Sequence, residues 1–313
     1  MIMNKEYFLL LAGGVGAAKF IDGLANIINP NLIKIIVNTG DDIELFGLKI
    51  CPDLDIITYT LANLVDREKG WGFEEETFNS LSILNNYYDY GWFNIGDKDL
   101  ATHIFRTDLS KNGYSKAEIT SIICDKLGIK AQVIPMCNED VQTIIKTNTR
   151  SMHFEEYFIK YHCEPEVIGI EFKGIRDAKP IEDVLNLIKE AKKIIFCPSN
   201  PIVSIGTILQ VAGIKETLKK VRNKVFAITP IIQGAPIKGP ADKLMKAINL
   251  EVSCVGVAKY YKDVIGHFII DEKDCDLKPK IEKLGIKTYC CNTIMSNLKK
   301  KKDLAKFVVE ITE

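Results

Sequence analysis

The sequence has no surplus of charge of either sign: 41 Lys and Arg balance 41 Asp and Glu. No global field therefore favours nucleic acid or an anionic membrane as a partner. It has no C-x-x-C pair. Its nine cysteines are scattered, with Cys290 and Cys291 adjacent. That odd count and open spacing argue for reduced thiols in a cytoplasmic protein and against a structural zinc site. No cationic segment precedes the first apolar run, which is too short for a signal peptide or a membrane span, so a soluble chain is expected. Internal repeats, low-complexity tracts and linkers are missing as well. What is present is ordinary for a globular fold with a substantial core: 313 residues, 47% apolar and 26% charged.

The apolar stretch Tyr7–Ala12 shows no alternation, as in a strand covered on both faces of a parallel sheet. Glycines follow it, then a helical pattern over Ala17–Ile28 closed by Asn29 and Pro30. Leu32–Val37 is a second strand and "NTGDD" follows. This βαβ order predicts a right-handed crossover in a parallel sheet. From about 53 to 128 the pattern turns helical, within "PDLDIITYTLANLVD", "TFNSLSILNNYY", "GDKDLATHIFRTDLS" and "SKAEITSIICDKL", the last capped by Ser115. Ala131–Pro135 returns to strand, and 151–174 reads as irregular with short strands. The remaining half alternates strands with helices. The expected architecture is a single α/β domain over 1–313, a Rossmann-like doubly wound, mostly parallel sheet with a helical subdomain inserted after the second strand. The run Lys299 to Lys302 reads as a solvated helix face.

In such a sheet, ligands bind beyond the carboxyl ends of the strands. Four conspicuous loops fall there: "AGGVG", "NTGDD", "PSNP" and "TPIIQGAPIKGP". Gly13, Gly14 and Gly16 let backbone approach an anion at the positive end of a helix, or simply relieve a tight strand-to-helix turn. Ser199 or Asn200 either caps a helix whose first turn holds Pro201 or adds a second anion contact. Gly14-x-Gly16 begins a dinucleotide fingerprint that Lys19 breaks at its third glycine, and the P-loop pattern is absent.

Three acidic pairs, Asp41/Asp42, Asp53/Asp55 and Asp97/Asp99, suit helix caps singly and a magnesium ion with phosphate oxygens when taken together. Asp99, His103 and Arg106 share one helix face, either as an intrahelical pair plus a cation or as a group turned toward phosphate. Trp71 and the cluster Tyr87, Tyr88, Tyr90, Trp92 and Phe93 fit a planar-ring pocket or a subdomain core equally. No covalent nucleophile stands out.

The segments "LAGGVGAAKF", "NTGDD", "CPDLD", "KGWG", "WFNIGDKDLATHIFRT", "PSNPIVSIG" and "TPIIQGAPIKGPADKLM", in this order, resemble the 2-phospho-L-lactate transferase (CofD-like) family of coenzyme F-420 biosynthesis. The similarity runs from the first strand to about Gly256. It implies an enzyme that moves a phospholactyl group, or that of a related three-carbon acid, from a guanosine diphosphate-activated donor. The acceptor is the ribityl hydroxyl of 7,8-didemethyl-8-hydroxy-5-deazariboflavin, and GMP is released with the assistance of Mg2+. A homodimer is the implied assembly, with small molecules rather than nucleic acid or membrane as partners.

By position, the resemblance gives Asp41 and Asp55 to the metal or the attacking hydroxyl, and Asn94 to the deazaflavin. Other members carry different residues at the place of Asn94. Gly13, Gly14, Gly16, Ser199 and Asn200 fall to the guanosine diphosphate, and Arg106 to charge neutralisation. A related family with a similar first turn binds nucleotide sugars in a regulatory role without transfer. "PDLD", "KGWG" and "GDKDLATH" favour the transferase. Lactate, enolpyruvate and glycerate are not distinguished by any motif.

Overall fold

Seven short strands make one parallel sheet in the computed structural model, which describes residues 6–89 and 91–312. Tyr90, counted above in the aromatic cluster, lies outside the described residues. The strands are β1 (Phe8–Ala12), β2 (Ile33–Val37), β3 (Gln132–Pro135), β4 (Lys193–Phe196), β5 (Val225–Ile228), β6 (His267–Asp271) and β7 (Lys287–Cys291). They lie in the order β7-β6-β5-β4-β1-β2-β3, every neighbouring pair parallel. The chain steps outward from β1 to β3, then returns to start again on the other side of β1. This reversal opens a crevice between the carboxyl ends of β1 and β4. The expected doubly wound, Rossmann-like sheet is what the chain forms.

Burial on both faces explains the unbroken apolar strands. Leu9 and Leu11 enter one core with Ile36 and Phe196, while Phe8, Leu10 and Ala12 enter the other with Ile35 and Phe226. Five helices concern the site: α1 (Gly14–Ala25), α2 (Pro52–Leu61), α3 (Asp97–Lys111), α4 (Lys116–Lys126) and α5 (Leu298–Thr312). α1, α2 and α5 cover the second face. A Cβ on Gly23 would stand 2.3 Å from the Lys301 carbonyl oxygen, so α1 and α5 approach with nothing between them. The lysine run is therefore not all solvated: Lys301 Nζ lies 2.8 Å from Asp22 Oδ2, with the two side chains 14% and 9% exposed.

The insert between β2 and β3 begins with a hairpin, Ile43–Leu45 against Leu48–Ile50. A boundary at 53 cuts through the start of α2, whose Leu54 and Ile57 belong to the core of the sheet. Leu45, Ile50, Phe93 and Ile95 form a separate small core within the insert, which places Phe93 there. Ser115 caps α4 as expected, accepting from the Glu118 N–H at 3.3 Å while its own N–H donates back to Glu118 Oε2 at 2.8 Å.

Two expectations need correction. The short strands expected within 151–174 are Ser151–His153 and Val167–Lys173, but they are not loose: both pair antiparallel with Gln142–Thr147, a strand outside that range, in an ordered three-stranded sheet. Its buried positions in Gln142–Thr147 are Thr143, Ile145 and Thr147, so polar residues dilute the apolar alternation. Reduced thiols throughout are also not observed. Cys275, in the turn after β6, meets Cys290 on the neighbouring β7 in a disulfide with Cα atoms 5.9 Å apart, and seven cysteines stay free. Among the described residues, no helix is long and apolar enough to cross a membrane.

Candidate active site

The glycine turn sits in the crevice at the reversal. Gly14 has φ +71°, a left-handed conformation that glycine takes without a Cβ penalty. The Gly13 N–H donates to Ser199 Oγ at 3.2 Å and the Gly14 N–H to Asp53 Oδ1 at 2.7 Å. A Cβ on Gly16 would fall 2.1 Å from the Pro198 carbonyl oxygen, so the loops after β1 and β4 touch there. Ser199 thus reaches the glycine turn. Asn200 is occupied as a cap, its Oδ1 accepting from the N–H groups of Ile202 at 2.9 Å and Val203 at 3.2 Å.

One amide organises the acids beside this turn. Asn38 Nδ2 donates to Asp41 Oδ2 at 3.0 Å and to Asp53 Oδ2 at 2.9 Å, which uses both of its hydrogens. Burial pushes Asp53 up to about 6, against the hydrogen bonds from Asn38 and Gly14. Burial, then the charges of Asp53 and Glu155, hold Asp41 well above the ordinary carboxyl range. Glu155, also buried and facing Asp53, is pushed up to about 8. The buried Thr143 side chain lies against Asp41 and pulls its carboxyl down, against the effect of burial.

Asp55 belongs to a different set. Two residues along a helix turn the side chain by about 200°, so Asp53 faces the glycine turn and Asp55 faces α3. There Arg106 forks onto Asp55, with Nη2 on Oδ1 and Nη1 at 3.1 Å from Oδ2. Arg106 Nη1 also approaches His103 Nδ1 at 3.1 Å. A guanidinium can only donate, so Nδ1 accepts and the ring hydrogen sits on Nε2, 3.2 Å from Asp99 Oδ2. The Tyr59 hydroxyl donates to the other Asp99 oxygen at 2.7 Å.

Burial raises Asp55 while Arg106 and His103 pull it down, leaving it above its usual value. Burial also raises Asp99, but His103 and Tyr59 outweigh that and leave it below its usual value. Asp55, Asp99 and His103 lie close enough together to share a metal ion. The guanidinium already seated on Asp55 makes that a poor place for a second cation.

The other acids have structural partners. Asp42 Oδ2 pairs with Lys116 Nζ at 2.6 Å, and Asp97 accepts from the Thr77 hydroxyl and the N–H groups of Asn79 and Ser80. Asn94 lines a small cleft with Trp71, Phe73, Phe78 and Asp99, so the Asp99 end of the Arg106 network opens toward it. Tyr87 and Tyr88 are exposed.

The expected site residues thus fall into two linked groups on either side of the first turn of α2. Gly13, Gly14, Gly16, Ser199 and Asp41 form one through Asn38 and Asp53. Asp55, Arg106 and Asn94 form the other through His103 and Asp99. Asn38 and Glu155 are not among the residues singled out from the sequence, and Asp53 stands there only as one of six acids suited to helix caps or magnesium. Asn38 was detectable as the first polar residue after β2; Glu155, in "HFEEYF", carries no turn or glycine signature.

The family model described as 2-phospho-L-lactate transferase CofD matches residues 9–299. A 2-phospho-L-lactate transferase from Methanosarcina acetivorans is 38% identical over 301 residues, covering 96% of this chain and 97% of its own. A phosphoenolpyruvate transferase from Kitasatospora aureofaciens is also 38% identical, over 313 residues and 97% of each chain. A solved structure of a UPF0052-family protein from Bacillus halodurans superposes with TM-score 0.64 over 98% of this chain and 99% of its own; at 14% identity it shares the fold alone. The phosphate-type turn, the insert motifs and near-complete coverage agree: this chain belongs to the 2-phospho-L-lactate transferase family.

Proposed function

We propose that the chain transfers a phospholactyl group, or a close three-carbon relative, from a guanosine diphosphate-activated donor to the ribityl hydroxyl of the deazaflavin riboside. The observation that supports this best is the continuous chain Gly14–Asp53–Asn38–Asp41, which joins an anion-binding turn to buried carboxylates with no cation of their own. Phosphoryl transfer demands little beyond placement and charge neutralisation. The glycine turn and Ser199 hold the diphosphate. Asp55 and Asn94 orient the acceptor.

In the transfer, the hydroxyl oxygen forms a bond to the phosphorus bearing the lactyl group. The bond from that phosphorus to the bridging oxygen breaks, and GMP leaves with that oxygen. The hydroxyl's proton goes to a carboxylate on the glycine-turn side of α2, Asp41 or Asp53, both raised above their usual range by burial. Asp55, turned to α3, acts from the other side of that helix. Arg106 fixes the Asp55 carboxylate in place. Magnesium would be held by the Asp41 carboxylate, which is buried beside Asp53 with no cation paired to it among the described residues. When bound, it supplies charge neutralisation to diphosphate oxygens.

The test mixes purified protein, deazaflavin riboside, guanylylated phospholactate or guanylylated phosphoenolpyruvate, and Mg2+, and follows GMP. Release with one donor identifies the acid. Silence with both donors, together with tight nucleotide-sugar binding, would favour the regulatory alternative. A homodimer is the expected assembly, read by light scattering.

A further inference from the structure

The fold treats its nine cysteines unequally. Cys51, Cys124, Cys137, Cys163, Cys197 and Cys254 are free and buried. The three that are only half-buried, Cys275, Cys290 and Cys291, lie together around β7, at one edge of the main sheet. Two of these are joined in the Cys275–Cys290 disulfide. Seven free thiols mark a chain that is not stapled throughout for an oxidising surround. One accessible disulfide among so many thiols has the character of a bond that is made and broken.

Strand alternation selects the partners. Cys290 packs against the core on one face of the sheet and Cys291 against the core on the other. Cys291 therefore cannot replace its neighbour without turning the strand over. Burial, then the charges of Asp271 and Glu272, also push the Cys291 thiol up to about 12, which keeps it out of thiolate exchange.

The turn Glu272–Leu277, which carries Cys275, links this bond to the crevice. Asp271 fixes the start of the turn: one oxygen accepts the Lys273 N–H at 3.1 Å, and the other accepts the Thr293 N–H at 2.8 Å and its hydroxyl at 2.9 Å. The disulfide ties the middle of the turn to β7. Between these two anchors Asp274, 6% exposed, accepts the Gln233 N–H on both oxygens, at 2.9 and 3.2 Å. Gln233 is at the tip of a hairpin, Ile231–Ile232 against Ala235–Pro236, with φ +49° there and +76° at Gly234. The hairpin belongs to the "TPIIQGAPIKGP" loop after β5, the strand beside β4, whose own loop carries Ser199. So short a strand pair is marginal by itself, and Asp274 supports it from outside. Freeing Cys275 loosens the carboxylate one residue before it.

We infer that Cys275–Cys290 is a reversible thiol–disulfide pair, opened by a dithiol reductant, that sets how firmly the loop after β5 is held at the crevice. In opening, one reductant thiolate bonds to a cysteine sulfur as the Cys275–Cys290 bond breaks, and the second reductant sulfur then displaces that cysteine. Two cysteine thiols remain, and the reductant, having given two electrons and two protons, leaves as a disulfide. The consequence for donor binding rests on the transfer reading; the redox chemistry of the pair does not.

The probe reductant is dithiothreitol and the probe oxidant oxidised glutathione, each acting on the whole folded chain. Thiols counted with dithiobis(nitrobenzoate) after denaturation number seven in the oxidised protein and nine in the reduced one. Reduction speeds amide hydrogen exchange at Gln233 and weakens GDP binding in calorimetry about tenfold, the size of one lost hydrogen bond to a charged group. Oxidised glutathione restores both. Cys290→Ser shows the reduced behaviour under either condition, while Cys291→Ser responds to dithiothreitol as wild type does. Nine thiols after oxidised glutathione overturn the inference, as does an equal exchange rate at Gln233 in the two states of wild type. Redox-dependent exchange at Gln233 in a protein that releases no GMP supports the thiol pair and sinks the transfer reading instead.

Discussion

One methyl group tests whether the loops after β1 and β4 close the crevice. In Gly16→Ala the new Cβ would stand 2.1 Å from the Pro198 carbonyl oxygen, against at least 3.0 Å in real contacts, so the loops must part by about 1 Å. Overpacking of that kind costs about 1–3 kcal/mol, and the gain from replacing a helical glycine by alanine offsets about 0.5–1 kcal/mol. The net loss of roughly 1–2 kcal/mol lowers the melting temperature by a few degrees in a chain of this size.

The effect on catalysis is larger, because the Gly13 to Ser199 hydrogen bond spans the same two loops. A displacement of about 1 Å in a positioned site costs on the order of 100-fold in rate. Gly14→Ala supplies the contrast: its nearest atom is 3.9 Å away, but φ is +71°, so strain replaces collision. That strain is about 1–2 kcal/mol. Circular dichroism melts and GMP release on both variants separate the two effects. Wild-type rate and melting in Gly16→Ala would refute the packed crevice and, with it, the placement of the diphosphate.

Three further outcomes follow from the charges. Arg106→Leu strands a buried Asp55 and costs about 3–5 kcal/mol in chemical denaturation, much of it regained in the double variant with Asp55→Asn. Without metal, the carboxyls of Asp53 and Glu155, raised to about 6 and about 8, favour the fold when protonated. Stability is then full below about pH 4, falls by about 3 kcal/mol as pH rises from 3.8 through 6 on account of Asp53 alone, and falls further toward 8. Added Mg2+ flattens that decline in thermal melts, and a flat metal-free profile would contradict the burial of these groups. Lys301→Ala unpairs the buried Asp22 between α1 and α5 and lowers the melting temperature, whereas Lys299→Ala does not.

The fold was legible because its strands are apolar on both faces and its turns carry glycine where the chain reverses. The site was legible in its loops but not in its partnerships. Ser199 and Asn200 are adjacent in sequence, yet one reaches the glycine turn and the other caps a helical turn, a choice set by the path of the chain after β4. Glu155 was invisible for a similar reason: its strands bury threonines, so nothing in their pattern announces a sheet that delivers a carboxylate.

The segment "CPDLD" shows how two adjoining tasks are kept apart by helix geometry alone. Both acids lie in the first turn of α2, and both are buried. At two residues' separation one points to the glycine turn and the other to α3, so their charges meet different partners. Asp53 receives hydrogen-bond donors but no cation, and this leaves it free to take one. Asp55 receives a guanidinium, and this holds it fixed. Exchanging the roles would need Arg106 on the glycine side, where it would compete with magnesium for the carboxylates. A wild-type rate for Arg106→Lys would argue against that division: a lysine keeps the charge but loses the fork that holds both oxygens. The expected result is a fall in kcat with little change in the donor KM, because the donor is held across α2 from the arginine.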